Sequence, residues 1–196
     1  SRRQRQMCIR DSADAATKAA SYLEECKAMQ NSAGGIIECV ITGVPAGIGD
    51  PVFEKIDANL AKAIFSIGAV KGFEIGDGFA VAAATGLTNN DAFVTDENGS
   101  VTKETNHAGG ILGGMSDGAP IVLRAAVKPT PSIFKAQQTV NRSGENITLE
   151  IKGRHDPVIV PRAVVVVESM AALVLVDALM ENMSSRLEHM IEFYNS

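Results

Sequence analysis

The sequence has no tryptophan and few aromatic residues, which make up 5% of its 196 residues. A folded core must therefore be built mainly from alanine, valine, isoleucine, leucine and methionine. Hydrophobic residues account for 45% and charged residues for 21%, which is typical of a globular domain. The length is sufficient for one domain with a sizeable core.

Motifs for zinc and for disulfides are also missing. The sequence has three cysteines, Cys8, Cys26 and Cys39, with no CxxC or CxH spacing. This pattern favours reduced thiols in a cytoplasmic protein, and we expect no metal site. The net charge of -5 leaves no basic face, so we expect no nucleic-acid partner.

Long uninterrupted apolar runs are absent as well. The most apolar stretch, 163–176, contains Glu168 and is followed by Asp177. Because about 20 apolar residues are needed to cross a bilayer, we expect this stretch to be too short and no membrane partner.

The first residues differ from the rest in composition. Segment 1–11 carries four arginines and a single acid, Asp11, and it lacks the apolar region of a secretory signal. Its run RRQRQMCIRD resembles the translation of a common sequencing adapter. We therefore expect 1–11 to be a non-native tail, and 12–196 to be a portion of one longer domain.

Three segments have the periodicity of helices. The first is 12–30. The second is predicted to begin with Asp50 as its N-cap and Pro51 as its first residue; its apolar stripe is Phe53, Ile56, Leu60, Ile64 and Ile67. The third begins at Pro161 and is apolar on all sides over 164–176, so we expect that part to be buried.

Strands are predicted where β-branched residues concentrate. These runs are 36–44, 69–75 and 119–127, together with a hairpin of 137–142 and 146–151. The polar stretch 85–107 is expected to be a long loop. Few strand–helix–strand alternations occur, so the sequence predicts an α+β fold of antiparallel sheets with helices packed on them.

Three segments have sequences suited to a ligand. Segment 106–114 is rich in glycine, which lets backbone N–H groups approach an anion, although such loops are more often turns. Segment 128–132, KPTPS, holds one cation and two hydroxyls on a rigid backbone; the alternative is an ordinary surface loop. It favours an anionic ligand.

The third segment, GRHDP at 153–157, places Arg154, His155 and Asp156 directly before an apolar helix. Taken alone, the pattern favours an ion pair between Arg154 and Asp156 at the start of the helix, with His155 as a bystander. His107 and His155 do not indicate a catalytic triad, because no nucleophile is marked.

Four motifs in order resemble the C-terminal half of chorismate synthase. They are GVPAGIGDPVFEKIDANLAKAIFSIGAVKGFEIGDGF at 43–79, NHAGGILGGMSDG at 106–118, KPTPSI at 128–133 and GRHDPVIVPRAVVVVESMAAL at 153–173. The resemblance covers nearly all of the chain from residue 13 onwards.

The resemblance implies a lyase of the shikimate pathway. It implies conversion of 5-enolpyruvylshikimate 3-phosphate to chorismate and phosphate by anti-1,4-elimination, with reduced FMN (FMNH2) as cofactor in NADPH-linked flavin chemistry. The family fold is a β-α-β sandwich of antiparallel sheets around central helices, here truncated. The family assembles as a cytoplasmic homotetramer.

Site residues follow from the same resemblance by position. Asp156 matches the family's acidic residue near the flavin N5. The cofactor-binding residues are Gly68, Ala69, Gly113, Lys128, Pro129, Thr130, Pro131, Ser132 and Arg154. The family's GxSHG motif and second catalytic histidine are absent, so we expect the chain alone to be inactive. The alternative is a non-catalytic flavin-binding or oligomerisation domain derived from the family.

Overall fold

A computed structural model describes residues 13–97, 99–153 and 156–195. Within them the chain forms four α-helices and nine β-strands, which confirms the predicted α+β class. The helices are α1 (Ala13–Ala28), α2 (Ile56–Phe65), α3 (Val160–Ser184) and α4 (Leu187–Asn195). The strands are β1 (Gly35–Ile41), β2 (Val70–Ile75), β3 (Phe93–Thr95), β4 (Val101–Lys103), β5 (Ile111–Leu112), β6 (Met115–Ser116), β7 (Ile121–Val127), β8 (Gln137–Val140) and β9 (Asn146–Leu149).

The main sheet has three strands in the order β1-β7-β2, and both pairings are antiparallel. Every second residue of β7 is buried, as expected for a strand with one face on the core. β1 pairs along the whole of β7, with Gly35 opposite Val127 and Ile41 opposite Ile121. The predicted antiparallel sheet is therefore confirmed.

Helices α2 and α3 cover the buried face of this sheet. In α2 the fully buried residues Ile56, Leu60 and Ile64 recur every fourth position and so share one face. In α3 the buried residues Val167, Ala171 and Leu175 have the same spacing. These two faces and the inward side of β7 form one hydrophobic core.

The start of α2 differs from its prediction. Asp50 closes a turn by accepting a hydrogen bond from the Val52 amide at 2.9 Å, and the helix begins only at Ile56. The Ile56 amide instead donates to the Gly114 carbonyl at 2.9 Å. Phe53 consequently lies outside the helix and is 90% exposed. A local cap pattern could not reveal a long-range partner.

Helix α3 is not buried on all sides. Leu173 is 63% exposed, and Val165 and Val176 are also exposed, because the sheet and α2 contact only one side of the helix among the described residues. The uniform apolar composition therefore did not predict uniform burial.

The length of α3 also corrects an expectation. At 25 residues, α3 is long and apolar enough to cross a membrane by length and composition, with 17% of its most apolar window buried. A single helix of this kind is weak evidence, because a core helix of a soluble protein meets the same criterion.

Segment 85–107 contains more order than predicted. Strands β3 and β4 form a short antiparallel hairpin within it, and a 3-10 helix, Gly78–Ala83, precedes it. The predicted non-native tail 1–11, the predicted cofactor-binding residue Arg154 and the predicted bystander His155 lie outside the described residues.

We predict that Leu60→Ala destabilises the chain by about 2–5 kcal/mol, because Leu60 is fully buried and its truncation leaves a cavity. The matched control is Phe53→Ala, which should change stability by at most about 0.5 kcal/mol because Phe53 is exposed. Urea unfolding followed by circular dichroism measures both. Equal losses would contradict the placement of Phe53 outside the core.

Candidate functional site

One end of the main sheet brings together several of the predicted site residues. Lys128 directly follows β7, and Ala69 directly precedes β2. The Lys128 amide donates a hydrogen bond to the Ala69 carbonyl at 2.9 Å. Two segments that are 59 positions apart in sequence, each predicted to bind the cofactor, therefore meet at this end.

Backbone conformation around Ala69 is unusual. Ala69 has a φ of 74°, a left-handed conformation that residues with a side chain rarely adopt. Strained positions of this kind concentrate at ligand sites. A Cβ added to the neighbouring Gly68 would meet no atom within 4 Å, so open space adjoins this turn.

Thr130 lies at the centre of the proline-bounded segment 128–132. Its carbonyl accepts a hydrogen bond from the Ser32 hydroxyl at 2.6 Å. Its own hydroxyl oxygen is buried and has no partner among the described residues. This atom is closed to solvent, and a ligand group that reached it would relieve the cost of an unpaired buried hydroxyl.

Asp156 lies close to Ser132. Both residues line a crevice of about 90 Å³, together with Asn31 and Ser32. The Asp156 carboxylate pairs with Arg162 at 2.6 Å, and its side chain is 33% exposed. The described partner of Asp156 is thus Arg162 in α3. The predicted ion pair with Arg154 stays a prediction, because Arg154 lies outside the described residues.

A second crevice, of about 290 Å³, lies on the other side of Ser132. Pro131 and Ser132 form one wall, and the β8–β9 hairpin forms the other through residues such as Gln137 and Leu149. Gln137 donates to the Pro131 carbonyl at 3.1 Å, which attaches the hairpin to this segment. Small-molecule sites enclose roughly 300–1,000 Å³, and the second crevice is close to the lower end of that range.

The structure does not bring Gly113 to this end of the sheet. Gly113 and Gly114 form the turn between β5 and β6, and both have positive φ angles. Gly114 contacts the first residue of α2, whereas Gly68 follows its last turn. A ten-residue helix is about 15 Å long, so Gly113 and Gly68 lie at opposite ends of α2.

A buried polar cluster organises that opposite end. The Lys103 ammonium is 2.7 Å from the Asp117 carboxylate and 3.5 Å from that of Asp91, and all three side chains are at most 8% exposed. The two carboxylates share the single cation, and hydrogen bonds from the Thr105 hydroxyl and the His107 and Ala108 amides to Asp91 compensate for the remaining negative charge. The cluster ties the β3–β4 hairpin to the glycine-rich segment 106–114.

Asp91 is the most heavily bonded member of this cluster. Burial alone would raise its pKa, but hydrogen bonds and a nearby cation outweigh that effect and lower the pKa to about 2. The groups that lower it are the Ala108 amide, the Thr105 hydroxyl, the His107 amide and Lys103. The charged form of Asp91 is therefore a folding requirement for segment 105–108.

Sequence reasoning missed two residues of the crevice, Asn31 and Ser32. The first predicted helix ends at residue 30, and Asn and Ser are common at helix ends and turns, so neither residue was predicted to belong to a site. The contact of Ser32 with Thr130 spans 98 positions, and no local pattern reports it. The cluster of Asp91, Lys103 and Asp117 was missed for the same reason.

These features define an α+β chain with a crevice at one end of its sheet that is lined by Ser32, Ser132 and Asp156. The chain belongs to the chorismate synthase family, because the model of that family, described as chorismate synthase, matches residues 1–180.

Relatives and a solved structure agree with this assignment. The chain is 68% identical over 181 residues to the chorismate synthase of Agathobacter rectalis, covering 92% of this chain and 49% of the relative. It is 64% identical over 188 residues to that of Lachnoclostridium phytofermentans, covering 96% and 51%. A crystal structure of a chorismate synthase is 32% identical with a TM-score of 0.70, covering 91% of this chain and 47% of that one. The chain thus spans about half the length of the curated relatives it matches.

We predict that Asp91→Asn destabilises the chain by about 1–3 kcal/mol at neutral pH, because hydrogen bonds to a buried charge are lost. In the unsubstituted chain the contribution of Asp91 is complete above its ordinary pKa of 3.8 and is lost as the pH falls to about 2. The variant should therefore lose less stability between pH 4 and pH 2. Urea unfolding at several pH values measures this.

The matched control for Asp91 is Asp14→Asn. Asp14 is 78% exposed, and its partner among the described residues is Lys18 on the surface of α1. Its replacement should change stability by at most about 1 kcal/mol and leave the acid profile unchanged. Identical acid profiles for Asp91→Asn and the unsubstituted chain would contradict the role given to Asp91.

Proposed function

We propose that this chain forms part of a chorismate synthase, a lyase of the shikimate pathway. The reaction converts 5-enolpyruvylshikimate 3-phosphate to chorismate and phosphate by anti-1,4-elimination, with reduced FMN as cofactor. The observation that carries the proposal is the meeting of Lys128–Ser132, Ala69 and Asp156 at one end of the sheet in a chain of this family.

Charge at this end suits the proposed ligands. The substrate and FMN both carry phosphate, and Lys128 supplies a cation for such a group. Lys128 is exposed at the end of β7, while its amide is held by the bond to Ala69. Arg154 remains a predicted second cation of the site, since it lies outside the described residues.

The residues of this end also fit the cofactor. The unpaired Thr130 hydroxyl and the Ser132 hydroxyl would bind polar groups of FMN, and the open space beside Gly68 and Ala69 would admit its ring system. When bound, reduced FMN would supply a transiently donated electron, so no net oxidation occurs. Gly113 stays a predicted contact, at the far end of α2.

Asp156 is proposed to handle the proton of the elimination. Arg162 donates to its Oδ2 atom and fixes the orientation of the carboxylate at the crevice. A carboxylate held in this way can accept a proton and pass it on. Phosphate leaves with the electrons of its broken C–O bond, so the proton lost from the ring must find such an acceptor.

The whole enzyme is proposed to be a cytoplasmic homotetramer whose ligand is a small molecule. The alternative function is a non-catalytic flavin-binding or oligomerisation domain. The absent GxSHG motif favours it for the chain by itself, whereas the proposed role of Asp156 requires an intact enzyme. A hybrid separates the two: residues 13–196 of this chain joined to the half of the Agathobacter rectalis enzyme that this chain does not match.

We predict that the chain by itself forms no chorismate from the substrate and reduced FMN, because it has no GxSHG motif. We predict that the hybrid enzyme does form chorismate. An anaerobic assay of chorismate formation with photoreduced FMN measures both. Turnover by the chain alone would show that the missing histidines are dispensable. Flavin binding without turnover in the hybrid would favour the non-catalytic alternative.

We predict that Asp156→Asn lowers kcat of the hybrid enzyme by about a hundredfold or more, because asparagine keeps the shape but cannot accept a proton. The same assay measures kcat, and FMN fluorescence checks that the cofactor still binds.

The matched control is Arg162→Gln, which removes the ion pair but keeps the carboxylate. It should lower kcat far less, since Arg162 only orients Asp156. If the two variants lose stability and activity equally, Asp156 serves only as the partner of Arg162. Near-normal turnover in folded, FMN-bound Asp156→Asn would also remove Asp156 from the mechanism.

A further inference from the structure

Segment 31–33, between α1 and β1, contacts both segment 128–132 and the loop that carries Asp156. On one side, the Ser32 hydroxyl donates to the Thr130 carbonyl at 2.6 Å. On the other, the Ala33 amide donates to the Pro157 carbonyl at 2.8 Å, and Ala33 forms a parallel bridge with Val158. Segment 31–33 therefore lies between segment 128–132 and the loop that carries Asp156.

The packing around this segment is close. A Cβ added to Gly34 would lie 2.5 Å from the Val127 carbonyl oxygen and 3.1 Å from Cδ of Pro129. Ala33 is 3% exposed. The backbone of residues 33–34 is thus pressed against the end of β7, which gives the Ser32 hydroxyl a defined position.

Segment 128–132 depends on this contact because it has few donors of its own. Pro129 and Pro131 have no amide hydrogen, so they cannot bond this stretch to a neighbouring strand. Its described backbone attachments are the Lys128 amide to Ala69, the Thr130 carbonyl to Ser32 and the Pro131 carbonyl to Gln137. The bond from Ser32 lies at the middle residue.

Orientation of Thr130 follows from that bond. Its carbonyl is turned towards Ser32, and its buried hydroxyl is left without a described partner. Loss of the Ser32 hydroxyl would free the carbonyl to rotate and would move the Thr130 hydroxyl with it. The same rotation would shift Ser132, which shares a crevice with Asp156.

We propose that Ser32 is a positioning residue of the cofactor site: it fixes the backbone at Thr130 so that the hydroxyls of Thr130 and Ser132 meet FMN. The proposal rests on the proposed function. Ser32 acts through Thr130, so its removal weakens cofactor binding and leaves the chemical step intact.

The test compares Ser32→Ala with Ser32→Thr in the hybrid enzyme. For Ser32→Ala we expect the Kd for FMN, measured by fluorescence, to rise about three- to tenfold, the effect of one lost hydrogen bond. At saturating FMN, kcat should stay within about twofold, because the groups that react are unchanged. Ser32→Thr keeps the hydroxyl and should restore the affinity.

A second measurement needs no ligand. Hydrogen exchange of the peptide 127–134 should be faster in Ser32→Ala, because the segment loses its middle attachment. The matched control is Ser169→Ala in α3, which removes a similar hydroxyl-to-carbonyl bond of 2.7 Å far from the crevice. The control should change neither the exchange of 127–134 nor the Kd.

Failure of this proposal can be separated from failure of the proposed function. An unsubstituted hybrid that neither binds FMN nor turns over would overturn both. A hybrid that binds FMN with the same Kd in Ser32→Ala would overturn the role of Ser32 alone. If Ser32→Ala does not fold, Ser32→Thr decides: wild-type affinity supports the proposal, and a folded variant with weakened affinity refutes it.

Discussion

The pairing of β7 with strands on both of its sides is the constraint on which the rest of the structure depends. A central antiparallel strand fixes the register of both neighbours, so the position of each residue along β7 determines what it meets. Its alternate residues fill the core beneath α2 and α3. Its last residue, Val127, pairs with Val70 of β2, so Lys128 and Ala69 lie together at the end of the sheet.

The two ends of β7 differ in their polar groups. At the glycine-rich end, the buried side chains of Asp91, Lys103 and Asp117 are paired with one another, although the buried Asn89 Oδ1 has no described partner. At the other end, two prolines remove backbone donors and one buried hydroxyl stays unpaired. Incomplete satisfaction of polar groups is expected where a ligand completes the structure. The Lys128 end is the better candidate site because Lys128 and Ala69 meet there and Ser132 shares a crevice with Asp156.

Regular elements could be predicted from the sequence to the extent that their cause is local. The sequence itself shows apolar residues at alternate positions of β7 and at every fourth position in Ile56, Leu60 and Ile64, and the structure buries both sets. The predicted cap at Asp50 was wrong because a carbonyl distant in sequence, that of Gly114, receives the first helical amide. The predicted all-round burial of α3 was wrong because composition does not state how many neighbours a helix has.

Some residues of the candidate site could likewise be predicted from local sequence, and others could not. Proline and lysine in segment 128–132 mark it as rigid and cationic, and the resemblance adds Asp156, because both kinds of information reside in short runs of residues. Ser32 cannot be identified from short runs of residues, because serine is common after a helix for local hydrogen-bonding reasons. Only the fold shows that its hydroxyl meets a carbonyl between two prolines, 98 positions away. Positioning residues of this type owe their role to a contact, and the contact exists only once the sheet has formed.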